Sequence, residues 1–264
     1  MIPEILVFLL LGGVVGFSIG LTSIGGAVFL LPVLTVAMGF APSVAVGTAS
    51  LYSSLTKIYA CVRHYRLDHI DFATARLFLL GAVPGNLIVA VAINRYLDHH
   101  GAAQIDAFQA HLKLTIIGFI LLSVLLMIIN LVRTRKADAA QVETESYRPN
   151  TIATLFVGLA VGCVIGATAI SAVVVVPTMI LFFRLSARHT VGTTVFAGLV
   201  LTLLTAVVYI AGGQIQWAAA LWMALGSGAG VYFGSRLTSR IPERPLKATV
   251  IVLVAIAALL MIFA

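Results

Sequence analysis

The 264-residue chain is 61% hydrophobic and only 9% charged, with a mean hydropathy of +1.12. Soluble domains carry roughly a quarter charged residues, so this composition excludes an ordinary soluble globular protein. The formal net charge is +7, but the basic residues collect near the ends of apolar segments, as they do at membrane surfaces. The sequence therefore predicts an all-α integral membrane protein that contacts a lipid bilayer and no nucleic acid.

Five hydrophobic segments follow one another in residues 1–132, the first predicted membrane unit. They span residues 3–19, 26–40, 43–61, 73–94 and 112–132. Because a helix over 26–40 would extend only ~22 Å, it falls short of the ~30 Å hydrocarbon thickness. The first two segments are therefore either full crossings or a re-entrant hairpin that enters and leaves the membrane by one face.

A polar stretch, RTRKADAAQVETESYRPN at 133–150, separates this unit from the rest of the chain. Its charges are mixed in sign and its apolar residues show no periodicity, which is typical of a solvated linker rather than a domain. Cytoplasmic loops attract Lys and Arg, so we predict that this linker is cytoplasmic.

A second unit, residues 151–264, repeats the pattern of the first. Its segments span 151–166, 171–184, 189–211, 217–236 and 246–264, again with two short segments at the start. An offset of 145 residues superimposes four anchors in order: Pro32 on Pro177, VGT at 46–48 on VGT at 191–193, Gly81 on Gly226, and Gly85 on Gly230. Anchors at constant spacing indicate an internal repeat.

The two units are predicted to have opposite orientations, because each contains an odd number of segments. The basic clusters agree with this arrangement, since residues 62–72, 133–150, 184–188 and 236–247 can all lie inside, with both chain termini outside. Inverted repeats of this kind recur in secondary transporters, whose substrate site lies near the midplane where the repeats meet.

Small and hydroxyl-bearing residues interrupt each short pair of segments, in GLTSIGG at 20–26 and GATAIS at 166–171. A broken helix leaves backbone N–H groups unpaired, and glycine lets an anion approach them closely. We therefore predict an anion-binding pocket whose candidate residues are Thr22, Ser23, Gly25, Gly26, Thr168 and Ser171. The alternative is that the glycines only permit close helix packing.

The third segment of each unit contains VGT near its start, which adds Thr48 and Thr193 to the predicted pocket. Tyr52 follows Thr48 on the same helix face, and Lys57 and His64 lie toward the inner end, as candidates for a substrate or proton path. The alternatives are hydroxyls bonded to their own helix and basic side chains that extend to the membrane surface.

The positions of the acidic residues favour an anionic substrate. All nine carboxylates lie at segment ends or in loops, whereas carriers of cations usually keep a carboxylate within the membrane. We therefore expect no metal site and no cofactor. A nucleophile with a base, or a set of metal ligands, is not evident at membrane depth, so we expect that the protein is not an enzyme.

The first unit resembles the TauE/SafE sulfite exporter family in GLTSIGGAVFLLPVLTVAMGFAPSVAVGTASL, HYRLDHIDF and LLGAVPGN. The resemblance implies a plasma-membrane protein of two homologous halves that moves sulfur-containing anions such as sulfite, thiosulfate, sulfoacetate or other organosulfonates. By motif, it implies pocket positions at Gly25, Gly26, Thr48 and Thr193. The second break departs from the family pattern, because Ile170 and Ser171 stand in place of the double glycine.

Together, these features predict a secondary transporter of small sulfur-containing anions that works by alternating access around a midplane site. Export and uptake are both compatible with the residues. The alternatives are a non-transporting membrane scaffold or sensor partner and a carrier of another small solute.

Sidedness can be tested with single cysteines in a background that lacks Cys61 and Cys163. We expect a membrane-impermeant thiol reagent to spare Ala140→Cys in intact cells and to label it after permeabilisation, because the basic residues of the linker hold it inside. Gly101→Cys, in the predicted outer loop, should be labelled in intact cells. Labelling of residue 140 in intact cells would contradict the inverted-repeat prediction.

Overall fold

The computed structural model describes residues 4–22, 27–133 and 150–238, together with the helical positions 252, 255, 259 and 261 of the last predicted segment. The described residues form helices and contain no strand. The helices are α1 Glu4–Thr22, α2 Ala27–Pro32 with a π-helical continuation Val33–Ala37, α3 Pro42–Arg66, α4 Phe72–His99, α5 Ala102–Arg133, α6 Thr151–Thr168, α7 Ala172–Leu181, α8 Ala187–Ala211 and α9 Trp217–Thr238.

The predicted all-α class is confirmed for the described residues. Four helical stretches there are long and apolar enough to cross a membrane: Phe72–His99, Ala102–Leu125, Thr151–Thr168 and Arg188–Ala211. The predicted segments that fall within the described residues coincide with these helices and with shorter apolar ones, but α5 begins at Ala102 rather than at residue 112. The additional turns carry polar residues, which a hydropathy pattern does not count although they continue a helix readily. The last predicted segment, 246–264, lies almost wholly outside the described residues.

Local sequence sets where several helices begin. The Asp71 carboxylate accepts hydrogen bonds from the backbone N–H groups of Ala73 and Thr74, both at 3.0 Å, and so caps α4. The Asn150 side chain accepts one from Ile152 at 3.0 Å and caps α6. These side chains satisfy N–H groups that have no acceptor within the helix.

Small residues bring α1 and α9 into backbone contact. A methyl group added at Gly16 would lie 2.5 Å from the carbonyl oxygen of Ser227, and one added at Gly12 would collide with the carbonyl of Met223. The contact moves from Met223 to Ser227 as it moves from Gly12 to Gly16, so α1 and α9 run parallel. Such close approach gives the van der Waals packing that holds helices together in lipid, where the hydrophobic effect does not drive their association.

The helices α4 and α6 pack in the same parallel way. A methyl group at Gly166 would lie 2.5 Å from the carbonyl oxygen of Asn86, and Gly162 lies against the carbonyl of Ala82. These contacts correspond to those of α1 and α9 after offsets of 145 and 146 residues: Gly12–Met223 to Gly158–Phe78, Gly16–Ser227 to Gly162–Ala82, Gly226–Leu9 to Gly81–Leu155, and Gly230–Gly13 to Gly85–Leu159.

Between these two pairs lies a third, in which α3 and α8 run antiparallel. Gly47, near the start of α3, packs against the carbonyl of Gln214 in the loop that follows α8. Gly192, near the start of α8, packs against the carbonyl of His69 in the loop that follows α3. Each helix therefore begins beside the end of its partner, and the two contacts again differ by 145 residues.

Glycine contacts show the level along α4 at which α6 begins, at which it ends, and at which α8 begins. Early in α6, Gly158 packs against Phe78, whereas near its end Gly166 packs against Asn86, at the middle of α4. The start of α8 lies beside the loop that precedes α4, so the chain has returned to the level at which α6 began. The break between α6 and α7 consequently lies about halfway along α4.

The core of the bundle includes residues from both short helix pairs. Leu30, Leu31 and Leu34 of the first pair are fully buried, as are Ile165 and Ile170 of the second. Their burial inside protein permits irregular backbone at the same depth, because the unpaired backbone groups do not face hydrocarbon.

We expect Gly162→Ala to destabilise the protein by about 1–3 kcal/mol, because the added methyl group would overlap the backbone carbonyl of Ala82. Gly118→Ala on α5 is the matched control, since no heavy atom lies within 4 Å of a methyl group there. That change should be neutral or slightly stabilising, because Ala favours helix over Gly. Thermal unfolding of the purified proteins in detergent measures both, and equal melting temperatures would contradict the packing.

Candidate functional site

The second break is a short buried turn between two helices. Helix α6 ends at Thr168, Ala169 adopts a left-handed conformation with φ +58°, and α7 begins after Ser171. The N–H of Ala169 donates to the carbonyl of Ile165 at 2.8 Å, which closes the last turn of α6. A left-handed alanine costs roughly 1–2 kcal/mol, so the surrounding contacts must hold the break in place.

The Thr168 hydroxyl stabilises this turn. It donates to the carbonyl of Val164 at 2.7 Å and lies 3.2 Å from the backbone N–H of Ile170, from which it accepts. Thr168 therefore lies at the break, as predicted, but its hydroxyl is bonded to its own helix, which is common for threonines in membranes.

Lys57 of α3 reaches the break from a different part of the chain. Its Nζ donates a hydrogen bond to Ser171 Oγ at 2.9 Å. Ser171 is buried, and Gly198 at the middle of α8 leaves room for both side chains. A methyl group at Gly198 would lie 3.3 Å from Ser171 Oγ and 3.4 Å from Lys57 Cε. The structure thus brings together two of the predicted residues, which are 114 positions apart.

The charge at this contact is not balanced by an acid among the described residues. The hydrogen-bond partner of Lys57 is a neutral hydroxyl, and no described carboxylate forms an ion pair with it. The nearest acid before α4, Asp71, is engaged in capping that helix. A partly buried ammonium group without a carboxylate favours an anion as its partner.

Thr48 and Thr193 are placed at the ends of the central pair. Thr48 Oγ1 accepts from the backbone N–H of Gln216 at 3.0 Å, just before α9. Thr193 Oγ1 accepts from the N–H of Asp71 at 3.0 Å, just before α4. Because α3 and α8 are antiparallel, the two threonines lie toward opposite ends of the bundle and are not brought together.

Some of the remaining candidates fall outside the described residues, and the others lie on α1 and α3. Ser23, Gly25 and Gly26 fall outside the described residues, and Thr22 is the last residue of α1. Tyr52 is fully buried on α3, and its hydroxyl has no hydrogen-bond partner among the described residues.

His64 lies beyond the predicted membrane segment 43–61, with its ring centroid 5.8 Å from that of His69. Burial lowers the pKa of His64 below its ordinary value, and repulsion from His69 and Arg63 lowers it further. The imidazole therefore carries less positive charge near pH 7 than an unperturbed histidine would in the last turn of α3.

Sequence reasoning missed a polar contact that supports the break. Asn86 Nδ2 donates to Thr205 Oγ1 at 2.8 Å, which joins the middle of α4 to α8. The Tyr209 hydroxyl donates to the carbonyl of Gly166 at 3.2 Å, which joins α8 to the last turns of α6. Asn86 could have been identified, because an amide in the middle of an apolar segment requires a partner in lipid.

The described residues contain no group of three His, Cys, Asp or Glu side chains that could hold a metal ion.

Comparisons with known proteins agree on one family. The family model described as "Sulfite exporter TauE/SafE" matches residues 8–261. Two relatives from Bacillus subtilis (strain 168) are each 29% identical to the chain. "Probable membrane transporter protein YjnA" aligns over 244 residues, which are 90% of this chain and 92% of that protein. "Probable membrane transporter protein YdhB" aligns over 261 residues, 98% of this chain and 99% of that protein.

A third relative, "Probable membrane transporter protein YunE" from the same organism, is 27% identical over 264 residues, covering 95% of this chain and 92% of that protein. No solved structure matches the chain. The transporter relatives and the long apolar helices identify a multi-pass membrane protein. Because the family model spans nearly its whole length, the chain belongs to the TauE/SafE sulfite exporter family.

Proposed function

We propose that the protein is a secondary transporter of small sulfur-containing anions in the plasma membrane, with a substrate site at the two helix breaks. The observation that carries this proposal is the hydrogen bond from Lys57 to Ser171, at half depth in the bundle and without a carboxylate. Membership of a family of membrane transporters supports transport as the activity.

The chemistry of the second break suits an oxyanion. The Lys57 ammonium supplies charge, the Ser171 hydroxyl can donate once an anion replaces it as the acceptor, and α7 begins at Ala172 with its positive dipole end toward the break. A sulfite or sulfonate group presents oxygens that accept hydrogen bonds. The site therefore complements it with donors from three sources.

Helix directions support the inverted repeat. In a unit whose segments alternate in direction, the first and fourth helices run opposite ways. The first helix of each unit instead runs parallel to the fourth helix of the other, as α1 does to α9 and α6 does to α4. An inverted second unit accounts for this, and for antiparallel α3 and α8. The half-depth position of the second break favours re-entrant hairpins over full crossings.

The first break completes the proposed site from the other unit. The repeat relation pairs GLTSIGG with GATAIS, so we infer that Thr22, Ser23, Gly25 and Gly26 contribute to the same anion site as Ser171 and Lys57. Thr48, Thr168, Thr193, Tyr52 and His64 remain proposed pocket or pathway positions. Two hairpins that enter from opposite faces allow access to alternate between the faces as the units rearrange.

A second candidate function follows from the same contact. The structure places a serine hydroxyl 2.9 Å from a lysine amine, a pair that the sequence did not reveal and that resembles the nucleophile and base of Ser–Lys hydrolases. Transport is favoured by the family. Hydrolysis would require Ser171→Ala to abolish turnover of a substrate, whereas a binding role requires only weaker anion affinity.

Binding can be measured as thermal stabilisation of the purified protein by sulfite, thiosulfate and taurine, with a chloride salt of an organic cation as the control. We expect a sulfur anion to stabilise the wild type, and Ser171→Ala to weaken that anion about 10- to 150-fold, because one hydrogen bond to a charged ligand is lost. Thr115→Val, which removes an exposed hydroxyl from α5, is the matched control. Unchanged affinity in Ser171→Ala would remove Ser171 from the site.

The first break is tested by Gly26→Val. We expect this variant to insert and purify but to bind sulfur anions at least tenfold more weakly, because bulk at this glycine blocks approach to the backbone. Gly118→Val on α5, in open surroundings, should leave binding unchanged. Near-normal affinity in Gly26→Val would leave the glycines of GLTSIGG as packing residues.

A further inference from the structure

We propose that the site selects singly charged anions, such as hydrogensulfite or a monovalent organosulfonate, over dianions such as thiosulfate and sulfoacetate. This inference rests on the proposed function and narrows its substrate class. Its basis is that the described part of the site holds a single cationic side chain, Lys57, with a neutral partner at the buried break.

The helices around the break contribute no second charge at that depth. On α3, the other basic residues occupy the last turn, beyond Lys57. On α8, Arg188 lies in the first turn and is exposed. Helices α6 and α7 contain no charged residue, and Arg184 follows the end of α7. On α4, Asp71 and the basic residues lie toward the two ends.

The repeat relation shows that this charge belongs to one half only. Lys57 corresponds to Thr202, whose hydroxyl donates to the carbonyl of Gly198 at 2.7 Å. Ser171 corresponds to Gly26. The packing glycines and the VGT threonines keep their partners in both units, whereas the lysine and its serine do not. The second half therefore offers no cation at the position that corresponds to Lys57, where it could balance a second negative charge.

The electrostatic consequence follows from the low dielectric constant of the bundle interior. A monoanion beside Lys57 forms a neutral pair, with Ser171 free to turn its hydroxyl proton toward the ligand. A dianion in the same place leaves one negative charge without a partner, and burial of an unpaired charge is strongly unfavourable. Size alone does not discriminate between these classes, because sulfite, thiosulfate and short sulfonates are similarly small.

The test compares two ligands of nearly equal shape: sulfoacetate, a dianion at neutral pH, and its primary amide, a monoanion. Isothermal titration or thermal stabilisation of the wild-type protein should show the amide binding at least about tenfold more tightly, since one fewer charge is buried. Equal affinity, or tighter binding of sulfoacetate or thiosulfate, would overturn the charge inference and leave the proposed function intact. If neither these ligands nor sulfite binds, the proposed function itself fails.

Variants link the preference to Lys57. Lys57→Met should bind the amide about tenfold more weakly or worse. Lys57→Arg should still prefer the monoanion, because it keeps the charge. Lys113→Met, which removes the same charge from α5, should leave both affinities unchanged. Thermal unfolding without ligand identifies any variant that fails to fold. A monoanion preference that persists in a folded Lys57→Met protein would contradict the proposal.

Discussion

The fold depends on backbone contact between helices of different units, α1 with α9 and α4 with α6. Lipid tails are as apolar as the side chains of a membrane helix, so the hydrophobic effect does not drive helices together. They associate instead where small residues let their backbones approach closely. Gly12 and Gly16 serve this purpose in one pair, and Gly158 and Gly162 serve it in the other. Neither unit can bury its glycine face alone, so each is held by the other. The central α3 and α8 pair is enclosed between these contacts.

Symmetry separates the scaffold from the site. The glycine contacts recur after 145 or 146 residues, and Thr48 and Thr193 each receive an N–H from the loop before the fourth helix of the other unit. Residues whose contacts recur at this offset thus hold the two units together. Lys57 and Ser171 are not matched at this offset. This chemical difference between two otherwise matched halves coincides with the proposed site for a charged ligand.

Much of the helical architecture could be predicted from the sequence, because hydropathy defines helices in lipid. The VGT and glycine anchors of the predicted repeat occur at the closest helix contacts. The break at GATAIS was predictable from its small and hydroxyl residues. The early start of α5 at Ala102 was not, since polar helix outside hydrocarbon leaves no hydropathy signal. The contact between Lys57 and Ser171 joins helices distant in the chain, and no local periodicity encodes such a contact.

The hydrogen bonding of the second break is the physical basis of the proposed anion site. The hydroxyl of Thr168 is engaged with backbone groups on either side, so it stabilises the turn. Ser171 Oγ accepts from Lys57 and retains its own proton, and the ammonium group uses one of its three N–H donors in this bond. Donors therefore exceed acceptors at the contact. The described residues place no carboxylate at this contact for a cation, whereas an oxyanion, which only accepts, can pair with both side chains at once.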